Sequence, residues 1–222
     1  MKPADTQLPL FALSNVVLFP RVKTPLHLFE PRYRQLARDA LGGARRIGMV
    51  TVDPQHLDDI SGDPPLCPIG CSGMVIEHQQ LPDGRYNIVL LGEHRFRILE
   101  EVPRPEQRLY RVARVEILED PYPIGDRERV ARLRSNIVEN VGVLVRRTQP
   151  DAPQALDPEL FAGVDDETLV NTLANALALP PEEKQRLLEA SSVPERFGLL
   201  AGALSFWRAE LETGESGRSQ PH

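Results

Sequence analysis

The hydrophobic positions of the first half recur with a period of two. Residues 8–13 and 16–19 are short apolar runs, which Pro9 and Pro20 confine to strand edges or ends. In "TPLHLFE", Leu26 and Leu28 alternate with His27 and Phe29, as in a strand with two unlike faces. Pro31 then suits the first position of a helix. Tyr33, Leu36, Ala37, Ala40 and Leu41 follow at helical spacing, and Gly42-Gly43 supplies the stop. "RIGMVTV" predicts the next strand, and a Pro/Asp/Gly loop follows from 53 to 68. In "IGCSGMVIE" the two glycines inside a strand pattern predict a bulge or a close backbone approach. Pro82-Asp83-Gly84 is a turn, because Pro fixes φ and Gly accepts positive φ. The β-forming run 86–91 leads into a segment where Phe96 and Ile98 alternate with Arg95 and Arg97. A last strand carries Val112, Val115 and Ile117, with a one-residue slip near Ala113 that predicts a bulge there. Six or seven strands and one helix within residues 1–121 predict a small closed or nearly closed barrel.

After "EDPYPIGD" the period changes to that of helices. With Asp126 as N-cap, Val130, Leu133, Ile137, Val138, Val141, Leu144 and Val145 form one stripe. "DPELF" reads as a single turn, and Asp165 or Asp166 caps a helix carrying Leu169, Leu173 and Leu177. Pro180-Pro181-Glu182-Glu183 begins another, with acids where the dipole favours them. Ser192 to Glu195 is a capping box. The final seam of Phe197, Leu200, Leu204, Trp207 and Leu211 needs a partner, most economically the helix from Arg127. The expected organisation is α+β: a β-rich barrel at 1–121, a helical bundle at 122–212 and a disordered tail at 213–222.

Composition narrows the function classes. The chain has 222 residues, 41% hydrophobic and 26% charged, which suits a globular protein. A net charge of -6 with acids and arginines interleaved argues against a dedicated nucleic-acid binder. Two cysteines are too few for a disulfide framework. Asp5 and Pro9 interrupt any signal-peptide core, and no run reaches the length of a membrane span, so a cytoplasmic location is expected.

Candidate chemistry is sparse. No Gly-Lys pair exists, and Lys2, Lys23 and Lys184 are the only lysines, which excludes a P-loop. Cys67 and Cys71 could offer two thiolates to zinc, but His56 and His78 do not complete a tetrahedral set, so no metal is expected. There is no Gly-x-Ser-x-Gly elbow. His94 reads as a water-facing strand residue rather than a general base, and the acid pairs 58–59, 100–101 and 165–166 read as loop, strand exit and helix cap. No catalytic residue and no cofactor is expected. The arginine clusters at 32–46 and 127–134 are interspersed with acids and poor in stacking aromatics, so they read as solvated faces.

"LPLFALSNVVLFPRVKTPLHLFEPRY" resembles the start of the N-terminal domain of Lon ATP-dependent proteases. "RIGMVTV", "IGCSGMVIEHQQLPDGRYNIVLLGEHRFRI", "YRVARVEIL" and "EEKQRLLEASSVPERFGLLAGAL" follow in that family's order, so the resemblance covers residues 8–211. It implies a PUA-like pseudobarrel followed by an α-helical subdomain, and a role in engaging unfolded or degron-bearing proteins. The chain ends where the ATPase would begin and carries neither the Walker lysine nor the Ser–Lys peptidase dyad. It therefore reads as a stand-alone substrate-binding domain.

The resulting expectation is a non-enzymatic module that binds peptides or exposed apolar segments, through a sheet edge and a shallow groove. A protease or chaperone acting in trans is the kind of partner implied; membrane is not expected, and nucleic acid is disfavoured. With Leu26 and Leu28 facing inward, the candidate contact residues are Phe19, His27, Phe29 and Tyr33. RNA binding, by analogy with other PUA-like barrels, and an unrecognised hydrolase are the alternatives.

Overall fold

The computed structural model describes residues 6–59, 62–148, 161 and 163–216; for 57–59, 145–148 and 210–216 it describes the backbone alone. The β-period region forms β1 (Thr6–Leu13), β2 (Lys23–Leu28), α1 (Pro31–Leu41), β3 (Arg46–Thr51), β4 (Ile69–Gln80), β5 (Tyr86–Glu101) and β6 (Arg111–Ile117). The helical region forms α2 (Arg127–Thr148), α3 (Asp166–Ala176), α4 (Pro181–Glu189) and α5 (Val193–Ser216).

The strands make one sheet in the order β2-β5-β4-β3-β1-β6, and β6 also pairs with β5. Among the described strands only β1 with β3 is parallel; the other pairs are antiparallel. The length of β5 explains the closure. Its first half, Tyr86 to Leu91, pairs with β2, and its second half, Phe96 to Glu101, pairs with β6. Five strands therefore close on themselves around Leu8, Leu10, Val50, Phe96, Ala113 and Val115, while β2 extends the sheet as a flank. This is the α+β pseudobarrel that the strand count and the resemblance imply.

Three local expectations change. Residues 16–19 form no strand: Val17, Leu18 and Phe19 are consecutively buried, but they pair with no strand of the sheet. The slip expected near Ala113 lies on β5 instead, where the register shifts between Ile98 and Glu100 and leaves Leu99 extra, 44% exposed. Arg95, expected on a polar face, is buried. Its guanidinium donates to the carbonyls of Leu188 on α4 (3.0 Å) and Glu119 (3.2 Å). The glycine-rich start of β4 is a close-approach site as expected: a Cβ on Gly70 would sit 2.5 Å from the Met49 carbonyl.

The chain divides into two compact units. One groups the residues up to Glu119 with Asn171–Glu189; the other groups Asp120–Val170 with the residues from Ala190 on. The first crossing falls between Glu119 and Asp120. The return of Asn171–Glu189 to the sheet is new, and it has a polar cause: buried Asn171 donates to the Pro20 carbonyl (3.1 Å), and buried Gln185 donates to the Ile69 carbonyl (3.0 Å).

In the other unit, α2 packs against α5. Val130, Ile137, Val141 and Leu144 are buried, as are Phe197, Leu200 and Leu204, while Trp207 is half-buried. Val145 and Leu211, expected on these seams, have side chains outside the described set. Asp165 caps α3 by accepting from the Thr168 amide (3.0 Å), and Ser192 accepts from the Glu195 amide (3.2 Å). Of the turn expected at 157–161, all but Phe161 lies outside the described residues. Helix α5 runs to Ser216, past the expected start of the tail at 213, and 217–222 lie outside the described residues. Among the described residues no helix is long and apolar enough to cross a membrane.

Candidate functional site

The four candidate contact residues separate into two pairs. Phe19 is fully buried and Tyr33 nearly so, which takes both out of reach of a partner. Phe19 lies in the turn that leads into β2. There the Arg21 amide donates to the Gly92 carbonyl (2.8 Å), and the Gly92 amide donates to Val22 (2.9 Å). Tyr33 is fixed by its neighbours: its hydroxyl donates to the Ala12 carbonyl (2.7 Å), and its ring meets Phe11 edge-on at 4.3 Å. Burial pushes the Tyr33 pKa above the ordinary tyrosine value. Phe19 ends the buried run from Val17, and Tyr33 lies on the buried face of α1.

His27 and Phe29 are exposed, Phe29 by 60%. The alternation in β2 places Thr24 and Leu28 inside and Lys23, Pro25 and His27 outside, with Leu26 half-buried. The rings of His27 and Phe29 stack at 6.1 Å and 25°. His27 Nδ1 lies 2.7 Å from Asn87 Oδ1, its cross-strand neighbour on β5, and Arg85 Nη1 lies 3.3 Å from Nε2. A guanidinium can only donate, so Nε2 accepts and Nδ1 carries the proton it gives to Asn87. Arg85 is held in turn by Asp83 (2.6 Å), and that hydrogen bond keeps the Asp83 carboxyl below its usual range.

Beside these residues, the outer surface of β2, β5 and β4 forms an open groove of about 430 Å³. Pro25, His27, Asn87, Val89, Glu77 and His78 line it. Registers align His27 with Asn87 and Gln79, and Pro25 with Val89 and Glu77. The polar rim and the half-buried Val89 suit contact with an extended polypeptide better than enclosure of a small molecule.

The backbone of β2 sharpens this picture. Because the Gly92 amide donates to the Val22 carbonyl, the even-numbered residues of β2 direct their peptide groups at β5. Lys23, Pro25 and His27 therefore direct theirs away, along an edge that, among the described residues, no other strand of the sheet occupies. Pro25 costs no bond to β5 and removes the central donor of the free edge. The sequence pattern did not single out Lys23, Pro25, Arg85 or Asn87. Arg85 and Asn87 both follow the Asp83-Gly84 turn and reach His27 only through strand pairing.

Cys67 and Cys71 are free and buried, and burial, with Glu189 and Asp53 nearby, pushes the Cys67 thiol up to about 11. Among the described residues no group of three His, Cys, Asp or Glu side chains is placed to hold a metal.

The family model for the ATP-dependent protease La (LON) substrate-binding domain matches residues 7–205. The chain belongs to the LON substrate-binding domain family. Its relatives include the Lon protease of Cytophaga hutchinsonii, 26% identical over 189 residues, covering 85% of this chain and 23% of that protein. The Lon protease of Paraburkholderia phytofirmans is 30% identical over 225 residues, covering 97% of this chain and 27% of that protein. The chain thus spans about a quarter of the length of these relatives and matches their substrate-binding portion.

The structure is similar to the N-terminal domain of Mycobacterium avium complex Lon protease, with a TM-score of 0.70 at 15% identity, covering 90% of this chain and 98% of that one. It is also similar to a Lon N-terminal domain protein from Xanthomonas campestris, with a TM-score of 0.60 at 23% identity, covering 89% and 98%. At those identities the two structures speak for the fold of this LON substrate-binding domain.

Proposed function

We propose that this chain is a non-catalytic recognition module that binds unfolded or otherwise exposed segments of other proteins. The observation that supports the reading is the match to a substrate-binding domain along residues 7–205. The exposed groove at β2, β5 and β4 offers such a segment apolar contact at Val89 and hydrogen bonding at His27 and Asn87, and Phe29, stacked on His27, adds an apolar surface beside it. A protease or chaperone that receives the bound segment is the partner class this role implies.

The test is binding of a fluorescein-labelled protein that has been reduced and carboxymethylated so that it cannot refold. The module is expected to raise its anisotropy, to leave the folded form of the same protein unbound, and to leave the probe intact on prolonged incubation. Equal indifference to both forms overturns recognition. Cleavage of the probe overturns the non-catalytic part.

A further inference from the structure

The free edge of β2 is specific about what it can accept. It offers the N–H groups of Lys23 and His27 and the carbonyls of Lys23, Pro25 and His27, with the missing donor of Pro25 between them. Lys23 is exposed and, among the described residues, has no carboxylate partner. At the other end of the strand, Arg85 is paired to Asp83 and Arg32 to Glu30. At the far end stands Phe29, an exposed aromatic stacked on His27. From Lys23 to Phe29 an extended chain spans about 20 Å.

We propose that this edge takes an extended polypeptide segment as an added strand, with an acidic side chain beside Lys23 and an apolar or aromatic one beside Phe29. The proposal rests on the recognition reading above and names where and how a segment is held. Main-chain hydrogen bonds to three carbonyls and two amides supply affinity, and the two side-chain neighbours supply selectivity. A second copy of the same edge fits poorly, because it brings another lysine and another proline. Pairing antiparallel about Pro25 removes the central donor of both strands, and the register that instead opposes the two lysines sets like charges side by side. A partner segment with an acid and without proline meets neither obstacle, so lysine and proline here exclude self-pairing while leaving the edge open to that class of segment.

The test uses a fluorescein-labelled eight-residue peptide with one aspartate and one tryptophan six positions apart. Two further versions are N-methylated at one or the other set of alternate residues. Added-strand binding predicts that one methylated version loses roughly tenfold or more in affinity while the other keeps it. Lys23→Glu is expected to weaken the aspartate peptide roughly fivefold and to favour a version carrying lysine in its place. Phe29→Ser is expected to weaken the tryptophan peptide with no change in melting temperature. If the module binds the carboxymethylated protein but neither N-methylation nor Lys23→Glu alters binding of any probe, the edge assignment is overturned and recognition stands. If neither the peptide nor the carboxymethylated protein binds, both fall.

Discussion

The hydroxyl of Thr51 on β3 donates to Oε1 of Gln185 on α4 at 3.0 Å, across 134 positions of sequence. The same glutamine uses Nε2 to donate to the Ile69 carbonyl (3.0 Å) and to Glu189 (2.8 Å). Both residues are buried, so the bonds to Thr51 and to Ile69 are made where water cannot replace them. Gln185→Leu keeps much of the volume and leaves the Thr51 hydroxyl and the Ile69 carbonyl unpaired. The expected cost is about 2 kcal/mol, read as a lowered denaturant midpoint. Adding Thr51→Val should recover part of that loss, and a double-mutant cycle measures the coupling.

Phe19 and Phe29 stand ten positions apart and should respond oppositely. Phe19 is fully buried, so Phe19→Ala is expected to cost about 3–5 kcal/mol through lost burial and a cavity. Phe29→Asp is expected to change stability by no more than about 0.5 kcal/mol, because the ring is 60% exposed. Recognition of unfolded protein should fall with Phe29→Asp while the thermal melt is preserved. A melt that collapses with Phe29→Asp would make that ring part of the core.

Gly92 has its own constraint. A Cβ there would lie 2.0 Å from the Phe19 carbonyl oxygen, and that carbonyl belongs to backbone that cannot swing aside. Gly92→Ala must displace the turn that leads into β2 and break its two hydrogen bonds to Gly92. A loss of about 3 kcal/mol or more is expected, measured by denaturant unfolding.

Cys67 predicts a pH dependence. Its pKa is raised from about 9 to about 11, chiefly by burial, so the folded state holds the proton more tightly than the unfolded chain does. The stability this contributes is complete below pH 9 and is lost as pH rises through 11. Wild type should therefore lose stability more steeply than Cys67→Ala across that interval, measured as denaturant midpoint against pH. At pH 8 the thiol should resist alkylation until the protein is unfolded.

Much of the fold was legible because the relevant signals are local. Tyr33, Leu36, Ala37 and Ala40 sit at helical spacing and are the buried face of α1. Pro82-Asp83-Gly84 made a turn for steric reasons that require no neighbour, and Gly84 has φ of +81°. The run at 16–19 misled for the complementary reason. Apolar residues in succession report burial and do not report whether a ladder partner exists. The candidate site was half legible: alternation exposed His27 and Phe29, but apolarity alone could not distinguish Phe29 at the rim from Phe19 inside.

By itself the sequence determined the change of period after β6, the capped starts of α3 and α5, and the order of motifs that matches the family. These follow from dihedral preference, side-chain spacing and chain order, which are properties of neighbours along the chain. Only the tertiary structure decided that β5 is shared between β2 and β6, that Asn171–Glu189 groups with the sheet, and that Pro25 faces a free edge. Each depends on which backbone groups meet across tens of residues, and hydrogen-bond pairing at that range is set by strand register and closure, which no local pattern encodes.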